Sequence, residues 1–181
     1  MAIYYPSGCE DAVPEHICDP CGKKEQGRVR SIAYIHSSVA FINPSSPVEW
    51  RAGILSGKII IIPKVIGSYD GGAEVESAGY GDQSTELTGY NHSLNFKDPN
   101  YSTNADFYNA LKRSRSYNIA WRTSSQTHIS NGIVSAIPKN PVTEDLTSAV
   151  VWDVTNKWAS EELSEPFDTP PGIFDECFAV S

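Results

Sequence analysis

Apolar and polar residues alternate along several stretches of the chain, which is the spacing of strands that bury one face. The clearest alternation spans residues 88–97 and places four side chains on one face, namely Tyr90, His92, Leu94 and Phe96. A second alternation, over 150–158, places together Val150, Trp152, Val154, Asn156 and Trp158. Both stretches predict half-buried strands.

Shorter runs enriched in β-branched and aromatic residues predict further strands, at 29–35, 39–42, 58–66, 117–123, 128–130 and 133–137. In the 58–66 run, Pro63 predicts a bend or a sheet edge, because proline cannot donate to a ladder. The dipeptide Asn131-Gly132 predicts a hairpin turn. The glycine-rich stretch 67–81 predicts a loop or a loose hairpin.

The segment that begins at Ser46 has the composition of a helix start. Ser46 suits the N-cap, Pro47 the first helical position and Glu49 the position that completes a capping box. Trp50 and Ile54 follow at a spacing of four residues, so they share one face of the helix. We expect that face to pack on the sheet.

A second helix is predicted over 104–115, where Phe107, Ala110 and Leu111 recur at helical spacing. About eight strands against two short helices predict an α+β, strand-dominated fold, either an antiparallel β-sandwich or a rolled sheet. Extended terminal arms complete this prediction.

The two ends of the chain lack the periodicity of its middle. We therefore divide the sequence into an irregular N-terminal arm (1–27), a β-rich core domain (28–160) and a C-terminal arm (161–181). Both arms carry aromatic and apolar residues that are costly to leave in water, namely Tyr4, Tyr5, Ile173, Phe174 and Phe178. This composition predicts that a neighbouring subunit covers them.

The chain of 181 residues has a formal net charge of −8 and an isoelectric point near 4.9. This balance argues against specific nucleic-acid binding, since gripping phosphates needs clustered Lys and Arg. The first residues show no signal-peptide pattern, and the longest apolar run, 59–62, is far too short to cross a bilayer. We expect a protein that folds in a cytoplasm and has no membrane partner.

The cysteines predict either a metal site or a set of thiols. Cys18 and Cys21 have the spacing of half a zinc site, and Cys9 with either Cys177 or His16 could complete a tetrahedral structural zinc. The alternative is that the thiols are reduced or disulfide-bonded. In either case we expect the cysteines to cross-link the arms and not to form a catalytic centre.

Catalytic patterns are absent from the sequence. No serine lies in a G-x-S-x-G elbow, no cysteine has the flanks of a protease nucleophile, and Gly79-Tyr80-Gly81 is only a fragment of a phosphate loop. His92 falls on the apolar face of its strand, where a hydrogen-bonded core histidine is the common case. We assign no catalytic residue and predict that the protein is not an enzyme.

The order of features carries a resemblance. A glycine-rich loop precedes the strand Thr88–Asp98, the helix Asn104–Leu111 follows, and the strand Val151–Trp158 comes last. This layout resembles structural proteins of tailed bacteriophages, in particular small tail-tube and head-to-tail connector subunits, over roughly residues 28–165. It is a resemblance of layout, and the cysteine-bearing N-terminus departs from the usual tail-tube pattern.

The resemblance implies a structural subunit of the virion that forms homo-oligomeric rings by joining strand edges. Its partners would be copies of itself and other virion proteins. In such a conduit, the acidic residues of the glycine-rich loop would face the axis along which DNA slides, namely Asp70, Glu74, Glu76 and Asp82.

Two other functions fit the sequence. The first is an auxiliary capsid protein, or cement protein, that clamps shell subunits together. The second is a carbohydrate-binding or enzymatic β-sandwich module, for which four Trp and nine Tyr residues could form a sugar platform.

Overall fold

The computed structural model describes residues 2–3, 13–14, 16–17, 21–22 and 24–175. Within these ranges there are twelve strands and two helices. In chain order they are β1 (Ala2–Ile3), β2 (Val13–Pro14), β3 (Ser31–His36), α1 (Pro47–Leu55), β4 (Ile59–Ile62), β5 (Ile66–Tyr69), β6 (Ala73–Ser77), β7 (Glu86–Asp98), α2 (Ala105–Leu111), β8 (Tyr117–Arg122), β9 (Gln126–Ile129), β10 (Ser135–Lys139), β11 (Trp152–Ser160) and β12 (Phe167–Asp168).

Two five-stranded antiparallel sheets form the body of the fold. The β7 sheet has the order β10-β11-β7. On the other edge of the 13-residue β7, β5 and β6 pair with it one after the other. The β3 sheet has the order β12-β9-β8-β3-β4. The two-residue strands β1 and β2 pair with each other.

The two sheets are joined at two corners. At one corner the chain passes from β4 to β5, and Val29 exchanges two backbone hydrogen bonds with Gly67. At the other, the Val134 N–H donates to the Tyr117 carbonyl, 2.8 Å away, which links the approach to β10 with β8. The result is a rolled, sandwich-like pair of sheets, and the predicted strand-dominated α+β class is confirmed.

The main core lies between the sheets and includes Trp121, Trp152 and Trp158. Both long alternations behave as predicted, since the inward face of β7 carries His92, Leu94 and Phe96. One polar pair crosses this core, because the buried Tyr34 hydroxyl donates to Asn156 Oδ1 at 2.7 Å. The bond satisfies two groups that would otherwise be costly to bury.

A second core covers the outer face of the β3 sheet. Helix α1 lies there and buries Trp50 and Ile54, as its sequence predicts. The chain returns after β12 and inserts Ile173 and Phe174 beside Trp50. The expectation that a neighbouring subunit covers Ile173 and Phe174 is therefore wrong, because this chain's own helix and sheet bury them.

The other apolar residues expected on the arms, Tyr4, Tyr5 and Phe178, lie outside the described residues. The segment that follows β11 is tied to the body by the pairing of β12 with β9. It is also tied by an ion pair between Arg122 of β8 and Asp175.

Both helices form at the predicted places, with local differences. The Ser46 side chain makes no cap bond. The Glu49 carboxylate instead accepts hydrogen bonds from the backbone N–H groups of Ile42 and Asn43, at 2.8 and 3.0 Å. Helix α2 ends at Leu111, so it is shorter than the predicted 104–115.

Two local predictions are wrong, and a third is refined. Residues 39–42 form no strand, and Ile42 is 97% exposed. Asn131-Gly132 is not a hairpin turn, because β9 pairs with β8 whereas β10 pairs with β11. The stretch 67–81, predicted to be a loop or a loose hairpin, contains β5 and β6. Strand β6 starts a hairpin with β7, and the short link between β5 and β6 uses the positive φ angles of Gly71 and Gly72, 83° and 90°.

Candidate functional site

The predicted cysteine site falls almost wholly outside the described residues. Cys9, Cys18 and Cys177 are among the residues whose structure is not described, and Cys21 is exposed. Among the residues that are described, no group of three or more His, Cys, Asp or Glu side chains is arranged to hold a metal ion. The structural zinc and its thiol alternative therefore stay predictions.

A chain of side-chain hydrogen bonds crosses three neighbouring strands of the β7 sheet. The Tyr69 hydroxyl of β5 lies 2.7 Å from Nδ1 of His92 on β7. Nε2 of the same imidazole lies 2.6 Å from the Ser160 hydroxyl at the end of β11. That hydroxyl donates to the Glu162 carbonyl, also at 2.6 Å.

The direction in which these hydrogen bonds are donated determines what the residues can do chemically. The Ser160 hydroxyl donates its proton to the Glu162 carbonyl, so it must accept a hydrogen bond from Nε2 of His92. Nδ1 of His92 then accepts a hydrogen bond from the Tyr69 hydroxyl. A base that would activate a serine must instead accept the serine proton. Burial lowers the pKa of His92 despite the opposing charge of Asp70, which favours the neutral ring. The arrangement therefore links strands and does not prepare a nucleophile.

Aromatic rings surround this histidine. His92 stacks on Trp158 with ring centroids 4.9 Å apart, and Tyr69 packs on Trp121 at 4.6 Å. Burial raises the pKa of Tyr69 to about 12, so its hydroxyl keeps the proton that it donates. On the other side of Trp121, His128 stacks at 5.2 Å, and burial lowers its pKa as well.

The tryptophans are not available for a sugar platform. All four are buried, with at most 7% of any residue exposed, namely Trp50, Trp121, Trp152 and Trp158. A carbohydrate-binding site needs aromatic faces that are open to the ligand. The four tryptophans, one part of the observation behind the carbohydrate-binding alternative, are thus explained by the core.

An open groove of about 440 Å³ lies at the corner where β4 passes into β5. Apolar side chains line it, namely Pro63, Val65, Ile66, Pro99 and Val151. Four cationic residues surround them, namely Arg28, Arg30, Lys64 and Lys97. We call this feature the cationic groove.

The alternation of the backbone explains why the cations gather there. Val29 and Val65 point into the core, so their neighbours in sequence point outwards. The Val65 N–H donates to the Arg30 carbonyl, which holds the two segments side by side. Lys97 joins them because β5 pairs with β7 in a register that sets Ile66 opposite Lys97.

At the far end of β7 the sheet continues into a projecting hairpin, residues 73–88, which we call the acidic hairpin. Every residue of it except Gly79 is exposed. It contains four carboxylates and no cation, the carboxylates being Glu74, Glu76, Asp82 and Glu86. It also exposes apolar side chains to solvent, among them Tyr80 (92%) and Leu87 (54%).

Sequence reasoning found the acidic residues but missed the groove. The four cations are spread over 70 positions, and only the alternation around Val29 and Val65 hinted at a shared side. Asp70, which was predicted to line a conduit with the others, is exposed and accepts hydrogen bonds from the Gly72 and Ser93 N–H groups.

No family model, no curated protein and no solved structure matches this chain. Neither helix in the described part of the chain is long and apolar enough to cross a membrane.

Proposed function

We propose that this protein is a structural subunit of a tailed-bacteriophage particle, in the tail tube or the head-to-tail ring, and that it assembles into homo-oligomeric rings. The acidic hairpin is the observation that supports the assembly part of this proposal. The layout resemblance supports the placement in a virion.

The hairpin is an unusual element for a protein that acts alone. A two-stranded ribbon in water is marginally stable, since neither of its faces buries apolar surface. In the described part of the chain, β6 pairs on one side only, with β7, and its outer edge leaves backbone N–H and C=O groups unpaired. Such an edge is a template for another chain, and the charges of Glu74 and Glu76 on β6 restrict that pairing to a partner of opposite charge.

The hydrogen bonds of the buried polar groups also support a structural role. The buried polar groups around His92 and Tyr34 have partners and hold strands together. A rigid body with a projecting, apolar and charged strand pair suits a building block. The surface elements are then the parts on which function depends.

The test is the oligomeric state of the purified chain, measured by native mass spectrometry and by electron microscopy. We expect closed rings of one rotational symmetry. A variant in which residues 76–88 are replaced by Asn-Gly should stay monomeric. That turn joins Val75 to Gly89, which already face each other in the ladder, so the fold is retained.

The matched control replaces residues 142–147, an exposed loop segment that also carries two carboxylates and exposed apolar residues, by Gly and Ser. This variant should form the same rings. A wild-type chain that stays monomeric at high concentration contradicts the proposal. Binding to capsid lattices without ring formation would favour the cement protein instead.

A further inference from the structure

The cationic groove presents charged and apolar groups that other described residues do not cover. None of the four groove cations forms an ion pair within 4 Å with a carboxylate of another described residue. The ion pair in the described part of the chain joins Arg122 to Asp175. Asp153 faces Lys97 in the β7–β11 register and offsets part of the charge. Ile66, in the middle of the groove, is 61% exposed. Unpaired cations around an exposed apolar floor suit a partner that is both acidic and apolar.

The acidic hairpin has this composition. It carries four carboxylates without a cation, and its exposed apolar residues include Val75 and Leu87. Its charge of −4 matches the four cations of the groove. In a chain whose net charge is −8, half of that charge lies on this one hairpin.

The hairpin cannot reach the groove of its own chain. Both features lie on β7, but Leu87 is at one end of the strand and Lys97 is at the other. Ten residues of extended strand span about 34 Å. The two complementary surfaces therefore face away from each other, at opposite ends of a rigid body.

We infer that the acidic hairpin of one subunit binds the cationic groove of the next, so that copies of this chain join head to tail. Contacts between two different surfaces of identical subunits repeat, and they close into a ring when the rotation allows it. The inference rests on the proposed function and names the interface through which the rings form. It also gives the hairpin a place between subunits, not on the wall of a conduit.

A nucleic acid is the competing occupant of a cationic groove. Two observations favour the protein partner. The apolar floor, with Val65, Ile66 and Val151, offers nothing to a phosphate backbone. The chain as a whole, with a formal net charge of −8, would also repel a long polyanion. The experiment includes DNA binding so that this alternative has its own outcome.

Charge reversal tests the interface. One variant reverses the sign of the groove (Arg28→Glu, Arg30→Glu and Lys64→Glu), and a second reverses the sign of the hairpin (Glu74→Lys, Glu76→Lys and Asp82→Lys). Each should raise the concentration needed for half-assembly by at least about a hundredfold, because like charges meet across the interface. A third chain that carries all six changes should recover much of the assembly, since the groove, with one remaining cation and three carboxylates, then faces a hairpin with one carboxylate and three cations.

Two controls make equal charge changes on other exposed surfaces. Lys58→Glu, Lys112→Glu and Arg113→Glu together match the groove variant, and Glu144→Lys, Glu162→Lys and Glu165→Lys together match the hairpin variant. Both should assemble as wild type does. Urea unfolding of every variant shows that the fold is retained, and assembly of wild type should weaken as salt is added.

The outcomes separate the interface from the proposed function. Loss of assembly in both single-surface variants, with recovery in the combined chain, supports the interface. Rings that form normally from the groove variant overturn the interface and leave the proposed function standing. A wild-type chain that never assembles overturns both. If wild type binds a duplex DNA probe, and groove reversal removes that binding but not the rings, the groove serves nucleic acid.

Discussion

Phe174→Ala tests whether the C-terminal segment belongs to this subunit's own core. Phe174 is fully buried, and its ring meets that of Trp50 edge to face, with centroids 5.1 Å apart. Truncating a buried Phe costs about 3–5 kcal/mol, from lost burial and from the cavity that remains. We expect the lower part of this range, about 3 kcal/mol, because the partly buried Phe41 and Phe167 pack against the same cluster and can relax towards the cavity.

A loss of this size is a large fraction of the roughly 5–15 kcal/mol that stabilises a typical domain. With a urea m-value of about 2–3 kcal/mol/M, the unfolding midpoint should fall by about 1–1.5 M. Tryptophan fluorescence is a suitable probe, since the mutated ring contacts Trp50. The measurement is made at concentrations where light scattering shows only monomer, because assembly would add its own stabilisation.

Leu163→Ala is the matched control. Leu163 lies in the same C-terminal segment but is 48% exposed, so its truncation should cost less than about 1 kcal/mol. If Phe174→Ala were as mild as this control in the monomer, the segment would not pack on its own helix. The interpretation of residues 161–175 as part of the core would then be refuted.

Two further predictions concern the stability of the monomer. Burial lowers the pKa values of His92 and His128 in the folded state, so below pH about 6.5 the unfolded chain takes up protons first. Stability should therefore fall as the pH is lowered below this value, and urea midpoints of the His92→Gln variant should show a weaker dependence on pH. Glu49→Gln should cost about 1 kcal/mol in the same assay, because it removes the charge that accepts two backbone N–H groups, whereas Ser46→Ala should cost less than about 0.5 kcal/mol.

Local patterns predicted the parts of the fold that local physics determines. The alternations of β7 and β11 identified the buried faces, because a strand has only two sides. Helix α1 was found from its proline and its spaced apolar residues. Its cap was predicted wrongly, since the partner of Glu49 is a loop several residues upstream and not Ser46.

The surfaces could not be predicted in the same way. The cationic groove forms because Val29 meets Gly67 and because β7 sets Lys97 beside Ile66, and both are pairings between distant parts of the chain. The segment 161–175 resembled an arm because it lacks periodicity. It is held by tertiary contacts with α1 and β8, which no local pattern encodes.

The pairing of the sheets has a consequence for how the protein folds. Strand β3 lies in the middle of its sheet, yet one of its neighbours, β8, is made more than 80 residues later. Strand β7 likewise pairs with β11, which is made much later, and the second core includes Phe174, which is made later still. Such long-range pairing makes folding slow, since large loops must close before the central pairs β3–β8 and β7–β11 can form. Ile60 and Ile62 of β4, which pack on the core between the sheets, therefore lack their partners on the nascent chain until β11 is made, and we expect expression at lower temperature to improve the soluble yield.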